Sequence, residues 1–367
     1  MKLSLDTEQQ MLKDSVERFV ADNWGVDERR RLRDAGELVN PDTWRQMAEL
    51  GWCGLPFSED LGGYGGSFAD IMVLMEGLGK GLAAQPFLTS VLACGGLLAR
   101  GDQAVAGPLL NGLISGEVHG ALAFAEQRGR FHLDRVATLA EPSEGGAVLL
   151  EGEKIAVAGG AEADFLLVTA RHAADASVNL YVVADPTLTE RRQVPLVDGS
   201  SGAAVTFRST PAKLLLANCV PDLEAVVDEL LVAMGSQALG CMQALLDLTV
   251  EYTKTREQFG QPIGKFQALQ HRMADMYMHC EALRSLLYQA VIAHEEDRPD
   301  KSRVSSALKV KLGEAGRFVS QQAVQLHGGI GMSDELAVSH HFKSLMLLNT
   351  LFGDPDYHLD RYRRLAA

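Results

Sequence analysis

The stretch Gln325–Met332 reads QLHGGIGM and lies between two segments with helical spacing of apolar residues. Glycine has no Cβ, so a glycine cluster at a helix end lets the backbone approach a ligand closely. A second stretch, Tyr252–Gly260, reads YTKTREQFG and follows an earlier segment of the same kind. We therefore expect long helices that end in turns suited to ligand binding.

The segments around these turns carry apolar residues at alternating steps of three and four. Three such series lie at Leu230–Tyr252, Phe266–Leu287 and Leu308–Leu326. A narrow apolar stripe with polar outer faces predicts an amphipathic helix. Because Pro299 separates the second series from the third, residues 218–367 are predicted to form a four-helix bundle.

The rest of the chain divides into two parts by its pattern. Residues 1–118 show helical spacing, for example over Gln9–Asn23 and Phe68–Leu78. Residues 119–217 instead contain short β-rich runs between Gly, Pro and Asp clusters, and residues 148–157 predict two strands around a Glu-Gly turn. The predicted fold class is therefore α+β, with an N-terminal helical domain, a small central β domain and the C-terminal bundle.

Composition and charge narrow the possible functions. The chain has 367 residues, is 47% hydrophobic and has a net charge of −14. That charge argues against nucleic-acid binding, which needs clustered Lys and Arg. The N-terminus lacks the apolar core of a signal peptide, and no uninterrupted apolar run is long enough for a membrane span. We therefore expect a cytoplasmic protein whose five cysteines, none in a CxxC pair, are buried free thiols.

Several common catalytic motifs are missing from the sequence. Gly329–Gly331 lacks the third glycine of the dinucleotide fingerprint and follows a predicted helix rather than a strand. The ten histidines form no HExxH or paired ligand spacing, so no metal site is expected. Neither a P-loop nor the GxSxG turn of a serine hydrolase is present.

Arg256 and Phe259 lie three residues apart near the end of a predicted helix. The planar fork of an arginine can pair with a phosphate, and a phenylalanine can stack on a purine. Alternatively, the arginine stabilises the helix macrodipole and the phenylalanine is buried. The spacing alone favours neither interpretation.

Three motifs resemble those of the acyl-CoA dehydrogenase family. Tyr252–Gly260 is similar to its Y-x-x-x-R-x-x-F-G signature, Gln325–Gly331 resembles its second signature, and Glu59–Gly66 resembles its N-terminal glycine-rich loop. The resemblance covers almost the whole chain. It implies an N-terminal helical domain, a central β-barrel-like domain and a C-terminal four-helix bundle.

The same resemblance implies FAD as the cofactor. Six positions match the family's FAD contacts: Arg256, Phe259, Gln267, Gln325, Gly328 and Gly329. The resemblance implies that the last three contact the FAD of a neighbouring subunit. The chain departs from the family at the two β segments on which the flavin rests. It has FAEQRGR at 124–130 in place of T-E-P-G-A-G-S, and AVAG at 156–159 in place of W-I-T-N.

The family reaction is α,β-desaturation of an acyl-CoA thioester, in which a carboxylate removes the α proton. The usual glutamate position falls on Phe352, which cannot accept a proton. Two weaker candidates for the base are Asp354 and Glu229. Glu229 lies beside Leu230, which matches the position of the base in some members of the family. Alternatively, Glu229 is a solvent-facing acid in the first turn of a helix, and Asp354 forms a turn with Pro355.

The segment Phe352–Leu359 resembles the end of base-lacking small subunits of pimeloyl-CoA and sterol side-chain acyl-CoA dehydrogenases. Those enzymes are α2β2 heterotetramers whose other subunit supplies the glutamate. The resemblance implies an acyl-CoA substrate, a second dehydrogenase subunit as partner and electron-transfer flavoprotein as acceptor. Two alternatives stay open: a self-sufficient homotetramer with a relocated base, and a catalytically silent structural or regulatory subunit.

Overall fold

The computed structural model describes residues 5–37, 40–83, 86–143 and 148–366. These residues form two compact units. The first unit comprises residues 5–31, 67–83 and 231–366, and the second comprises the described residues of 32–66 and 86–230. Each unit is therefore assembled from segments that are distant in the sequence.

The first unit is helical. Its helices are α1 (Thr7–Asn23), most of α2 (Val26–Ala35), α4 (Phe68–Lys80), α7 (Val220–Thr255) from residue 231 onward, α8 (Gln267–Glu295), α9 (Lys301–His327), α10 (Ala337–Thr350) and α11 (Pro355–Arg364). Helix α9 is central and packs against α8, α10 and α11, while α4 packs against α1 and α8. The helices predicted from the apolar series are confirmed, including the break between α8 and α9 around Pro299.

Close helix packing in this unit depends on glycine. A Cβ on Gly79 of α4 would lie 2.2 Å from the backbone oxygen of Gln237 of α7, and one on Gly240 of α7 would lie 2.0 Å from that of Glu76. No side chain fits at such distances, so the backbones of α4 and α7 can approach only because both positions lack a Cβ.

Polar residues define the helix starts, as at α4, where the Ser67 side chain accepts the Asp70 N–H in a capping box.

The second unit contains the sheet, together with α3 (Pro41–Glu49), α6 (Gln103–Ser115) and a π-helical stretch Phe87–Gly95 that continues into α5 (Gly96–Arg100). Its strands are β1 (Gly120–Ala123), β2 (Leu139–Pro142), β3 (Val148–Ala158), β4 (Phe165–His172), β5 (Val178–Val183), β6 (Glu190–Pro195) and β7 (Ser201–Leu216). Pairing runs from β4 through β2, β3, β7 and β5 back to β4, which closes a ring. The sheet is therefore barrel-like, with a core of alternating inward residues.

One strand prediction was wrong. Residues 148–157 form the single strand β3 rather than two strands around a turn, and its pairing with β7 shifts register between Leu150 and Gly152. Gly152 has φ 147° and packs so closely on Thr138 that a Cβ there would be 2.8 Å from the Thr138 Cα. A glycine inside a strand commonly marks such a bulge or close approach.

Secondary structure changes type near the predicted domain limits. Helix α6 ends at Ser115 and β1 begins at Gly120, while β7 ends at Leu216 and α7 begins at Val220. The limits at 118 and 217 themselves stay predictions, because the compact units group α1 and α4 with the C-terminal helices.

Helix α7 is long and apolar enough, by length and composition, to cross a membrane. However, 89% of its most apolar window is buried inside the protein. That burial is typical of a core helix, whose apolar faces are all covered by neighbouring elements.

Candidate functional site

The C-terminal ends of α7 and α9 meet in the first unit. The Tyr252 ring stacks on the His327 ring, with the centroids 4.4 Å apart. His327 is buried, and its Nδ1 donates to the Ala323 carbonyl oxygen at 2.8 Å. Burial lowers the pKa of His327 despite that hydrogen bond, so the ring is neutral at pH 7. This contact brings the two signature segments together.

A two-residue hairpin follows α7. It pairs β8 (Glu257–Gln258) with β9 (Gln261–Pro262), and the tip residues Phe259 and Gly260 have φ 54° and 78°. Two positive φ values are those of a type I′ turn, a conformation that is rare for a phenylalanine. The Phe259 side chain is 91% exposed and packs edge-on against the Phe266 ring, with centroids 6.1 Å apart. The interpretation of Phe259 as a buried residue is therefore wrong.

The six predicted cofactor contacts are all exposed: Arg256, Phe259, Gln267, Gln325, Gly328 and Gly329. The Arg256 guanidinium has no ion-pair partner in the part of the chain that the structure describes, although its backbone bonds to Tyr252 and Ile263. A Cβ on Gly328 or Gly329 would meet no atom within 4 Å. We call Tyr252–Gln267 together with Gln325–Gly329 the exposed end of the first unit.

The exposed end fits the phosphate and adenine parts of a dinucleotide. It offers an unpaired guanidinium for a phosphate, an aromatic face for a purine and open backbone at two glycines. The described part of the chain covers none of these groups, so they are open to a ligand or to a second chain. The assignment of the six residues stays a prediction.

The two segments that stand in place of the family's flavin-facing segments are neighbours in the second unit. The Ile155 N–H donates to the Ala125 carbonyl oxygen at 2.9 Å. Next to this bond stands Ala156, which has φ 50°, in the register shift of β3 opposite β7. Both segments therefore keep their backbone pairing, but Ala156 and Ala158 supply no aromatic or hydroxyl side chain toward a flavin.

A buried ion pair, which sequence reasoning missed, fixes these segments. Lys154 Nζ donates to Glu126 Oε1 at 2.7 Å, to Thr169 Oγ1 at 2.9 Å and to the Phe124 carbonyl oxygen. Burial lowers the pKa of Lys154 to about 8, opposed by the charge of Glu126. Burial alone would raise the pKa of Glu126, but Lys154 and the N–H groups of residues 137 and 138 together lower it. The pair is therefore charged at pH 7.

Phe352 lies in a tight turn between α10 and α11. Its side chain is only 8% exposed, and its φ of 55° is unusual for an aromatic residue. His358 Nε2 donates to the Phe352 carbonyl oxygen at 2.9 Å. Lys309 Nζ, fully buried, donates to the carbonyl oxygens of Leu348 and Leu351. Two buried side chains, Lys309 and His358, thus hold the turn at the usual glutamate position, where this chain has a phenylalanine instead of a carboxylate.

Burial also sets the charge of the two groups beneath this turn. It lowers the pKa of Lys309 to about 7, although the nearby Asp354 charge opposes the shift. It lowers the pKa of His358 to about 3, so that ring is neutral and donates through Nε2. The amine of Lys309 keeps donors for both carbonyl groups in either protonation state.

Both weaker base candidates are already engaged in contacts. Asp354 Oδ1 accepts the Tyr357 N–H at 2.8 Å and caps α11, whose first residue is Pro355. Glu229 Oε1 lies 2.5 Å from an Arg100 guanidinium nitrogen. Because α7 begins at Val220, Glu229 lies well inside the helix, and its placement in the first turn was wrong. The catalytic roles of Asp354 and Glu229 stay predictions.

Thiol and metal chemistry have little support among the described residues. All five cysteines are buried and free, as predicted, and burial raises the pKa of Cys53, Cys219 and Cys280 to about 12. Such thiols are poor nucleophiles because the thiolate form is not populated at pH 7. Over the described ranges, no group of three or more His, Cys, Asp or Glu side chains could hold a metal ion.

Comparison with protein families identifies the fold. Residues 6–117 match the acyl-CoA dehydrogenase N-terminal domain, and residues 230–365 match the acyl-CoA dehydrogenase C-terminal domain. The chain belongs to the acyl-CoA dehydrogenase family. The order of an N-terminal helical domain, a central β-rich domain and a C-terminal helical domain is that family's fold.

Named relatives cover nearly the full chain. Acyl-CoA dehydrogenase IpdE2 of Mycolicibacterium smegmatis is 28% identical over 99% of both chains. A short-chain specific acyl-CoA dehydrogenase of Megasphaera elsdenii is 27% identical over 89% of this chain and 90% of its own. Among solved structures, the ChsE4–ChsE5 complex from Mycobacterium tuberculosis has a TM-score of 0.90 at 25% identity, covering 99% of this chain and 98% of that chain. The relatives are dehydrogenases, and one of them is solved as a complex of two different subunits.

Proposed function

We propose that this chain is an FAD-binding subunit of an acyl-CoA dehydrogenase, acting in an α2β2 complex whose other subunit supplies the catalytic glutamate. The observation that carries the proposal is the contrast between the exposed end and the Phe352 turn. The first keeps every predicted cofactor contact on the surface, and the second has a buried phenylalanine at the position of the base.

The residues of the exposed end would hold the dinucleotide. Arg256 would pair with a phosphate, Phe259 would cover the adenine, and the open backbone at Gly328 would face the cofactor of a neighbouring subunit. Bound FAD supplies a hydride acceptor for the β hydrogen of the acyl chain. The proton at the α carbon has no acceptor at Phe352, which is why a second subunit is needed.

The partners follow from the same proposal. The substrate is an acyl-CoA, the second subunit is a dehydrogenase that keeps the glutamate, and electron-transfer flavoprotein takes the electrons. The ChsE4–ChsE5 complex is a precedent for two different chains of this fold in one assembly. We place the assembly in the cytoplasm.

Co-expression with a candidate partner dehydrogenase tests the proposal. We expect a complex with equal numbers of the two chains that carries FAD and turns over an acyl-CoA with electron-transfer flavoprotein as acceptor. A chain that stays alone beside every candidate, yet oxidises an acyl-CoA at a normal rate, would show that it is a self-sufficient homotetramer instead.

A catalytically silent structural subunit is the second candidate function. It is favoured by Ala156 and Ala158, which remove side-chain support from a flavin-facing segment. Flavin content separates the two proposals, because a silent subunit leaves the complex with no more FAD than its partner binds alone.

A further inference from the structure

A cavity opens between four helices of the first unit. Its volume is about 340 Å³, and its lining residues come from α1, α4, α7 and α8 and from Leu5, which precedes α1. Pockets that hold small molecules in proteins have volumes of about 300–1,000 Å³. None of the lining residues belongs to the exposed end or to the Phe352 turn. We call this space the four-helix cavity.

The cavity exists because the helices around α4 are packed unequally. A Cβ on Gly77 of α4 would lie 2.4 Å from the Val16 Cγ1 of α1, and Gly240 brings α7 close to α4 in the same way. Helix α8 instead meets this part of α4 through long side chains, since Arg284 donates to Glu76 Oε1 at 3.1 Å. Long side chains keep helices further apart than glycines do, so a space remains along α4 between α1 and α8.

The floor of the cavity is apolar, and one wall carries paired charges. Met72 and Val73 of α4 line the floor, with 3% and 6% of their surfaces exposed. On the α8 side, Arg284 contacts Glu281 at 3.3 Å in addition to Glu76. The guanidinium is therefore already neutralised, while the floor favours contact with an apolar group.

Three exposed side chains bring charges of both signs to the rim: Lys13 and Glu17 of α1 and Lys80 of α4. Lys13 and Glu17 are one turn apart, so they share a face of α1. Over the ranges that the structure describes, none of the three takes part in an ion pair. Other exposed lysines do, for example Lys254 with Glu251. The rim therefore presents two positive charges and one negative charge.

The packing of α1 on α4 places Glu17 near Lys80. Gly81 directly follows Lys80, and a Cβ on it would lie 2.0 Å from the Val20 Cγ1 of α1. Glu17 lies one turn before Val20 on α1. Although they lie near each other, Glu17 and Lys80 form no ion pair among the described residues. Each is therefore open to a ligand group of the opposite charge.

We propose that the four-helix cavity binds an α-amino acid with an apolar side chain. The lysines of the rim match its carboxylate, Glu17 matches its ammonium group, and Met72 and Val73 match its side chain. A plain carboxylate would face the negative charge of Glu17, and a plain amine would face both lysines, whereas a zwitterion is matched at both charges. The proposal does not rest on the proposed function, because the cavity contains neither the predicted FAD contacts nor the usual position of the base.

The test compares three probes that share a six-carbon chain: L-2-aminohexanoate, hexanoate and hexylammonium. Ligand-observed NMR titration of the full-length chain measures the affinity for each of them. The variants are Glu17→Gln and Lys80→Met, which remove one charge each from the rim. Their matched controls are Glu8→Gln and Lys213→Met, because both residues are exposed, carry the same charges and lie outside the cavity.

We expect the wild type to bind L-2-aminohexanoate more tightly than either of the other probes. Each variant should bind it about threefold to fivefold more weakly, which is the effect of losing one exposed ion pair. Glu17→Gln should bind hexanoate more tightly than the wild type does, because a like charge is removed, whereas Lys80→Met should bind hexanoate more weakly. Both controls should match the wild type.

Three results would overturn the proposal: no binding of L-2-aminohexanoate by the wild type, equal affinities of the wild type and both variants, and tighter binding of hexanoate than of L-2-aminohexanoate by the wild type. The second result would place the binding at another site of the chain. None of these titrations involves FAD or an acyl-CoA. Their failure therefore leaves the proposed function untouched, and the failure of the proposed function leaves the amino-acid site untouched.

Discussion

The exposed end and the Phe352 turn belong to the same helical unit. The exposed end keeps the residues of the family's motifs, whereas the turn has lost the family's glutamate. At the exposed end the motif residues are kept and stand in solvent, with Arg256 and Phe259 uncovered by the chain. At the turn, Lys309 and His358 hold the backbone by hydrogen bonds, and the side chain at the position of the base is a buried Phe352. The unit therefore keeps the residues that we propose bind the cofactor, but it has no carboxylate at the usual position of the base.

The largest expected effect comes from Lys309→Met, which removes the support under the Phe352 turn. The carbonyl groups of Leu348 and Leu351 would lose their donor, at about 1–3 kcal/mol each, so the free energy of unfolding should fall by about 2–6 kcal/mol. Denaturant unfolding measures it. Lys311→Met, two positions along the same helix and partly exposed, should change it by less than about 1 kcal/mol. Equal effects of the two variants would mean that Lys309 does not hold the turn.

The charge of Lys309 gives the stability of the turn a pH dependence. Burial lowers the folded pKa to about 7 from a usual value of 10.5, so between these values the unfolded chain binds a proton that the folded chain does not. Stability should therefore rise with pH in this window, by up to about 1.4 kcal/mol per pH unit.

Unfolding of the wild type and of Lys309→Met, each measured from pH 7.5 to 9.5, isolates this effect. The buried Lys154 titrates in both proteins and cancels in the difference between them. We expect the stability of the wild type to rise more steeply than that of the variant. Parallel curves would place the pKa of Lys309 near its ordinary value.

Arg256→Ala should affect binding at the exposed end without affecting the fold. Loss of an arginine–phosphate pair should weaken FAD binding about tenfold or more, while the free energy of unfolding changes by less than about 0.5 kcal/mol. Flavin fluorescence titration of the complex measures the first quantity. Arg364→Ala, an exposed arginine at the end of α11, is the control and should bind FAD normally. Unchanged affinity in Arg256→Ala would remove this residue from the cofactor site.

The smallest expected effects concern the two weaker candidates for the base, Asp354 and Glu229. Asp354→Ala should cost about 1 kcal/mol, because it removes the N-cap of α11, and Asp354→Asn should restore most of that stability. Glu229→Gln should cost less than about 1 kcal/mol, since its ion pair with Arg100 is partly exposed. Neither variant should change the acyl-CoA turnover of the complex. A drop of a hundredfold in either would identify that carboxylate as the base.

Much of the helical part was predictable, because α8 and α9 carry regular apolar stripes that local spacing reveals. The buried Lys309 was not, since its partners, the carbonyls of Leu348 and Leu351, come from a distant part of the chain. The single strand through Gly152 was missed for a related reason. Whether a glycine makes a turn or a bulge depends on the neighbouring strand.

The candidate site was predictable to a different degree at its two regions. Motif resemblance pointed to Arg256 and Phe259, but the choice between a buried and an exposed Phe259 needed the hairpin geometry. The loss of the carboxylate at Phe352 was visible in the sequence alone. The buried pair of Glu126 and Lys154 was hidden, because charged residues in a β-rich segment are usually assigned to its solvent face.

Flavin reduction in a single turnover shows whether this chain can remove the α proton without a partner. The FAD-loaded chain alone, and the same chain with its partner dehydrogenase, are mixed anaerobically with an acyl-CoA, and the flavin absorbance is followed. We expect the lone chain to stay oxidised and the complex to be bleached, because in the proposed function the partner supplies the glutamate. Bleaching of the lone chain at the rate of the complex would contradict the proposed function.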